Sequence, residues 1–485
     1  MIADIDPSRR FVPISALSLA MFLKSRAGRR CVHLRQILPM STGYCLAGAI
    51  YLAIGVEGVA AAQTSDNRAL DMAGAVRAAV ATHPRVRGAG EQVQQADAGV
   101  DVARAAYRPQ ITGGIENEIN TYRNSSYDSR NVYTARLRGS QMLHDFGKVA
   151  GTVDKARSDV RASEAQVEQA TDDIAMNTAH AWIDAHLNQA LVQIAREQLD
   201  AVKSITALVT ERANKGATTR ADVVQANARV EAVRSQLLGA QAEALRASLA
   251  LMHLTGRTVP VAITGDIPRD LMDGACWAGT EDDTPAVRLA SAQRDGARAE
   301  LDIARADRLP TVSLDGSVGY ALTDGSRLYG EYRTTGQVGI NVSMPFYQGG
   351  STMARQRGAV HQLRFYEDAV QQARLEMLQG FADAKAQADG WVQRAPVLQT
   401  RVDSINATRE LYRQQYLQLG TRSLIDLLNA EQEYHSARVD QMQGLHQQYS
   451  LAVHCLYFSD RLRAAFALDE PHPSGTAAPP YGPQP

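Results

Sequence analysis

One pattern written twice constrains this chain more than any other feature. Ala103-Arg104-Ala105, followed by Pro109, recurs some two hundred residues later as Ala304-Arg305-Ala306, followed by Pro310. Met142-Leu143-His144-Asp145-Phe146-Gly147 returns as Met344-Pro345-Phe346-Tyr347-Gln348-Gly349. Gly216 with Asp222-Val223-Val224-Gln225-Ala226 returns as Gly420 with Asp426-Leu427-Leu428-Asn429-Ala430. Three anchors in one order at a nearly constant offset describe a tandem duplication, so the fold is two copies of one unit.

Each half reads helix, strand, strand, long helix, helix. The first helix is expected over 70–107, ending before Pro109, because the residue ahead of a proline is pushed out of the helical region. Two alternating segments follow. Ile111, Ile115 and Ile119 share one face and Thr112, Glu116 and Asn120 the other; Tyr133, Ala135, Leu137 and Leu143 oppose Thr134, Arg136, Arg138 and Ser140. In the second half Val312, Leu314, Val318 and Tyr320 oppose Thr311, Ser313, Asp315 and Ser317. Val338, Ile340, Val342 and Met344 likewise oppose Gln337, Asn341 and Ser343. Period-two alternation is the strand signal, and segments of about 10–13 residues can cross a bilayer on a tilted strand. A half-buried sheet in a soluble domain gives the same alternation. Polar loops over 124–131 and 323–333 join the strands.

The neighbouring helices decide between the two. Residues 148–213 hold no proline and 351–418 hold only Pro396. At 1.5 Å per residue each segment makes a helix roughly 100 Å long. Val153, Val160, Val167, Ile174 and Ala181 recur every seven residues, as do Leu187, Ile194, Ala201 and Leu208, and Trp391, Leu398, Ile405 and Tyr412. Sustained sevens predict coiled-coil packing. Each long helix turns at Gly216 or Gly420 into a second one, giving two antiparallel hairpins. Four strands cannot enclose a pore, and open edges in lipid leave backbone groups unpaired. The sheet therefore demands an oligomer: a dimer supplies eight strands, and a trimer twelve with room for a channel.

The first 62 residues read as a leader: Arg29, Arg30 and Arg35, an apolar stretch over 44–56, then Ala60-Ala61-Ala62. That order is secretory, with cleavage near Gln63 and the true start at Met1, Met21 or Met40. Cys45 lacks the context of a lipidated cysteine. Cys276 and Cys455 remain after cleavage, and in an oxidising compartment they either pair or stay as isolated thiols. The domain plan is 63–258 for the first repeat, 259–283 for a linker, 284–462 for the second repeat and 463–485 for a disordered tail. With 51 basic and 52 acidic residues and no basic stripe, nucleic acid is not an expected partner.

The duplicated order resembles the TolC family of outer-membrane efflux and secretion ducts. So do Pro345-Phe346-Tyr347-Gln348-Gly349-Gly350 and the run of Gly420-Thr421-Arg422 before Asp426. The resemblance covers about residues 66 to 460. It implies a homotrimer in the cell outer membrane, with a twelve-stranded transmembrane β-barrel on a periplasmic α-helical tunnel. It also implies two partners, a periplasmic adaptor and an inner-membrane transporter, either an ABC transporter or a proton-driven pump. At the tunnel entrance it makes Arg422 the gate arginine, Asp222 the acid that arginine engages within or across protomers, and Asp426 a ring of carboxylates. Asn429 stands where the family carries a second acid. The gate tyrosine's place falls at Leu417, beside Tyr416. Solvated tip charges and a helix cap are the plainer readings of Asp222, Arg422 and Asp426.

No enzyme is expected. The chain has no GxSxG, HExxH or Walker pattern. His180, His186, His253 and His446 stand singly, and Glu281-Asp282-Asp283 reads as a solvated run; no metal or cofactor is implied. A pore-less periplasmic adaptor would also have a helical hairpin, but two hairpins and four bilayer-length strands argue against it. Within the duct class the expectation is type I secretion of a large polypeptide such as a haemolysin-like toxin, with multidrug or small-molecule efflux as the alternative.

Overall fold

The computed structural model describes residues 69–119, 131–268, 274–276, 284–322 and 333–468. The leader, the acidic run at 281–283 and most of both strand-joining loops lie outside the described residues. In chain order the elements are α1 (Met72–Thr82), α2 (Pro84–Ala105), β1 (Gln110–Ile119), β2 (Asn131–His144), α3 (Lys148–Asn214) and α4 (Arg220–Thr255). The second half repeats them as α5 (Pro285–Ala306), β3 (Thr311–Ala321), β4 (Thr334–Ser343), α6 (Ser351–Gln414) and α7 (Leu424–Phe458), with a short α8 (Leu462–Ala465) after them. Each long helix begins at a left-handed glycine, Gly147 (φ +98°) or Gly350 (φ +83°), where a side chain would be strained.

The four strands form one antiparallel sheet in the order β1-β2-β3-β4. Its register puts the expected apolar residues other than Leu143 and Met344 on one face. Ile115 lies opposite Ala135, Leu137 opposite Val318, Leu314 opposite Ile340 and Val312 opposite Val342. That face has no cover among the described residues: Ile115 is 71% exposed, Ile340 70% and Val338 79%. On the other face Glu116 bridges Arg136 (3.0 Å) and Arg138 (2.8 Å), and Ser140 donates to Asp315. Leu143 departs from its expected face. The ladder slips between Met142 and His144, so Leu143 is the extra residue of a bulge at the end of β2.

α3 is the helix around which the others pack, against α1, α2, α4, α5 and α7. Small residues allow this. Gly151 faces α5 so closely that a Cβ there would lie 2.8 Å from Ile303 Cγ1, and Ala290, Ala297, Ala299 and Ala304 are buried along α5. Of the seven-spaced positions Val153, Ile174 and Ile194 are buried. α6 is less covered: Val397 is 67% exposed, and Leu375, Val392 and Leu411 are exposed too. Pro396 does not break α6. Its solvent-exposed site tolerates the lost N–H, and the Thr400 hydroxyl donates to its carbonyl at 2.9 Å.

The main core gathers α1, α3, the far ends of α4 and α7, and the segment between the repeats. Trp182 is fully buried there, and its Nε1 donates to the Leu70 carbonyl at 3.1 Å. Burying side chains of this size contributes about 1.5–3 kcal/mol each.

Four expectations need correcting. The first helix is broken at His83-Pro84, where Pro84 opens α2 and His83 Nδ1 accepts from the Arg85 amide. The inter-repeat linker is packed where it is described: Val261, Ile267 and Ala275 are core residues, and Leu70 pairs in parallel with Ile263. The start of the tail, residues 463–468, is packed, with Phe466 buried beside Leu462. The second long helix ends in a π turn, Gln415–Leu419. The cysteine question also closes, because Cys276 and Cys455 form a disulfide.

That disulfide closes a loop with a sequence separation of 179 residues and fastens the inter-repeat segment to α7. Cross-linking across so long a loop chiefly constrains the unfolded chain. The paired replacement Cys276→Ala with Cys455→Ala should cost about 2–5 kcal/mol, read from denaturant unfolding midpoints, and reducing the unaltered protein should reproduce the loss. Identical midpoints with and without reductant would assign the bridge no such role.

Candidate functional site

The candidate entrance is the turn end of the two hairpins. Gly216 (φ +72°) and Gly420 (φ +62°) reverse the chain in the left-handed conformation that glycine adopts without strain. Each turn is followed by the same device. Thr219 caps α4 and Ser423 caps α7 through hydroxyls that accept from the Asp222 and Asp426 amides. The two aspartates return the bond, Asp222 Oδ2 accepting from the Thr219 amide (3.1 Å) and Asp426 Oδ2 from the Ser423 amide (3.3 Å). These are reciprocal capping boxes, and they place a carboxylate at the positive end of each helix.

Asp222 and Arg422 do not meet within the protomer. The Thr218 hydroxyl donates to Asp222 Oδ2 at 2.5 Å, adding to the Thr219 amide and hydroxyl. The Thr218 bond first, then the two from Thr219, hold the Asp222 carboxyl below the usual carboxylate range. Arg422, at the equivalent place in the second hairpin, lies over the Tyr412 ring (4.4 Å to the centroid) and donates to Gln415 Oε1 at 3.1 Å. Its guanidinium also comes to 4.0 Å from Asp426. Within the protomer the aromatic partner of the expected gate arginine is thus Tyr412.

Tyr416 and Leu417 serve another arginine. Arg212, one turn before Gly216, sits 5.0 Å above the Tyr416 ring and donates to the Tyr416 and Leu417 carbonyls at 3.0 and 3.4 Å. The π turn frees those carbonyls from the regular ladder and turns them towards the first hairpin. Tyr416 is buried with Leu424, Leu427 and Leu428 against Val202, Val209 and Val230. Asn429 is not an idle substitute for an acid: Arg229 of α4 donates to Asn429 Oδ1 (3.2 Å) and Gln432 Oε1 (2.6 Å). Two arginines of the first hairpin therefore hold the second.

The pattern [ST]-x-x-D after each glycine signals the capping boxes in the sequence. Arg212, Arg229 and Tyr412 have no comparable local signal, since their partners lie across the hairpins or beyond the π turn.

The histidines, isolated in sequence, come together between α3 and α7. His186 Nδ1 and His446 Nε2 are 2.8 Å apart, and the rings of His180 and His454 are 4.5 Å apart. Burial, and then His454 beside it, push His180 down to about 4, and burial lowers His186 and His446. His180, His186 and His446 are thus neutral packing residues at neutral pH. Among the described residues no group of three or more His, Cys, Asp or Glu side chains is placed to hold a metal.

A family model described as "Outer membrane efflux protein" matches residues 75–257 and 281–457, one segment for each repeat. The outer membrane efflux protein BepC of Brucella suis biovar 1 (strain 1330) is 25% identical over 368 residues, covering 74% of this chain and 78% of BepC. The alkaline protease secretion protein AprF of Pseudomonas aeruginosa is 24% identical over 319 residues, covering 64% of this chain and 65% of AprF. The solved structure of the outer-membrane channel OprN shares the fold, with a TM-score of 0.68 at 23% identity over 80% of this chain and 89% of that one. Both repeats, the sheet between them and the paired hairpins thus fall within one known architecture, and the chain belongs to the outer membrane efflux protein family, the TolC-type channels of the outer membrane.

Proposed function

We propose that three copies of this chain form an exit duct whose twelve strands close a barrel in the outer membrane and whose helices form a tunnel beneath it. The observation that carries this reading is the sheet. One face is apolar and exposed from β1 to β4, and the outer edges of β1 and β4 have no partner among the described residues. Only closure with other copies pairs those edges in lipid. The exposed apolar residues of α6 (Leu375, Val392, Val397 and Leu411) suit the same purpose, since adjacent copies would cover them.

The duct is passive and works with a periplasmic adaptor and an inner-membrane transporter, read as an ABC transporter of type I secretion whose cargo is a large polypeptide. AprF, named for alkaline protease secretion, supports this reading, and BepC, named for efflux, supports the alternative of a proton-driven pump exporting small molecules. Deleting the gene should remove a large polypeptide from the culture medium and leave sensitivity to small toxic molecules unchanged. The reverse pattern would establish the efflux reading.

Threefold symmetry would bring three Asp426 carboxylates around one axis, with Asp222 and Arg422 at the contacts between neighbouring hairpins. Carboxylates crowded at a constriction repel one another and attract multivalent cations. Arg422 sits 4.0 Å from Asp426 and offsets part of that charge. Arg422→Ser should therefore raise single-channel conductance in a planar bilayer and also tighten block by a trivalent cation added from the tunnel side. Unchanged conductance would mean that other contacts hold the entrance shut.

Asp426→Asn should abolish the block. Asn429→Asp, which adds a carboxylate one turn on, should strengthen it only weakly, because Arg229 already reaches that side chain. Block that persists in Asp426→Asn would place the acidic ring elsewhere.

A further inference from the structure

Well away from the hairpin turns, α3, α5, α6 and α7 surround a cavity of about 170 Å³. Pro285, Ala286, Ala373, Met377 and Phe458 give it an apolar wall, and Glu376 is exposed at its rim. A cavity of ~150 Å³ is large enough to hold a benzene ring. Two of the lining side chains are more than nine-tenths buried and end in atoms without a hydrogen-bond partner, Asp172 Oδ1 and Thr284 Oγ1. Thr284 is the N-cap of α5, yet its hydroxyl makes no capping bond, unlike those of Thr219 and Ser423. Leaving such groups unpaired costs about 1–3 kcal/mol each, more for a charge.

The charges around Asp172 do not satisfy it. Its other oxygen is 3.6 Å from Arg463, and that guanidinium is shared with Glu168 (3.5 Å) and Asp460 (2.8 Å). Arg288 of α5 is likewise engaged by Glu168 and by Asp460 at 3.3 Å. Asp173, next in α3, takes Tyr457 (2.9 Å) and Arg85 (2.7 Å). Burial, countered by Arg463 and reinforced by Asp460 and Glu168, pushes the Asp172 carboxyl up to about 7.

We propose that this cavity binds a small amphipathic organic cation, whose primary ammonium donates to Asp172 Oδ1 and Thr284 Oγ1 while a single ring or short alkyl chain lies against Met377, Phe458 and Pro285. An ammonium carries three donors and no acceptor, so it satisfies two acceptors at once and adds positive charge at the carboxylate oxygen that has no partner. Water could meet the two polar atoms, but it would leave the apolar wall wet. The site lies within one protomer and does not depend on conduction through the duct.

The sign of its pH dependence follows from Asp172. The cation binds the carboxylate form, so occupancy falls as the pH drops through about 7, the value to which burial raises this group. Below that value each pH unit costs about tenfold in affinity.

The test uses the purified full chain in detergent, with phenethylammonium as the probe and 2-phenylethanol as the neutral control bearing the same ring. Binding is followed by saturation-transfer NMR and by the thermal midpoint. At pH 8 the amine should bind and raise the midpoint, and the alcohol should do neither. The dissociation constant should rise about tenfold from pH 8 to pH 6, over which the amine stays protonated. Asp172→Asn should remove the response. Thr284→Val, which deletes only the hydroxyl acceptor, should weaken binding several-fold and keep the pH profile. No response of the unaltered protein to the amine, equal responses to amine and alcohol, or an undiminished response in Asp172→Asn would overturn the proposal.

Discussion

Backbone hydrogen bonding at the two free edges of a four-stranded sheet governs the rest of this molecule. In water an open edge is satisfied by solvent. Beside hydrocarbon each unpaired N–H or C=O costs several kcal/mol, so the sheet cannot sit in lipid alone. The apolar face running from Ile111 and Ile115 through Leu137 and Leu314 to Ile340 and Val342 leaves it no comfortable place in water either. The sheet needs both a bilayer and copies of itself. A fold with this element becomes stable only when assembled, which explains why so many apolar side chains of a single chain remain uncovered.

The helical part answers the same demand unevenly. The duplication gives two hairpins of one design, but α3 is enclosed by its own chain and α6 is not. α3 holds the main core, in which Trp182 closes on Leu70 and the Cys276–Cys455 bridge ties the inter-repeat segment to α7. α6 keeps a row of exposed apolar side chains, as a helix does when its packing partner belongs to another copy. The turns are joined by arginines reaching from the first hairpin to the second, Arg212 to Tyr416 and Arg229 to Asn429. The entrance is thus braced within each protomer.

Much of this was legible in the residues, for physical reasons. The strands announce themselves because a pleated sheet with one face in lipid must alternate, as Val338, Ile340 and Val342 do against Gln337, Asn341 and Ser343. The long helices are legible because a chain without Pro over so many residues has little to stop it. The break at Pro84 was equally visible, as a proline at a first helical position, but the regular pattern around it hides it. Long-range features were not legible. Nothing local says that Cys276 meets Cys455, that Phe466 turns back into the core, or that His186 finds His446. At the entrance the Thr219–Asp222 and Ser423–Asp426 boxes follow from spacing. The pairing of Arg422 with Tyr412 does not, because the π turn at Gln415–Leu419 shifts the faces that a regular helix would present. Family resemblance points to Leu417 beside Tyr416, whereas within the protomer Arg422 lies over Tyr412.

Closure of the sheet between copies is the central claim, and cross-linking in isolated outer membranes tests it most directly. Cysteines introduced singly along the water-facing side of β1 (Gln110→Cys, Thr112→Cys or Glu118→Cys) would each be combined with Asn341→Cys on β4 of the same chain. Within one sheet those strands are separated by β2 and β3 and cannot reach each other. A closed barrel of three copies predicts that at least one pairing yields oxidised species ending at the trimer, sensitive to reductant. A ladder that stops at the dimer or runs beyond the trimer, or monomers alone across the whole scan, would contradict it.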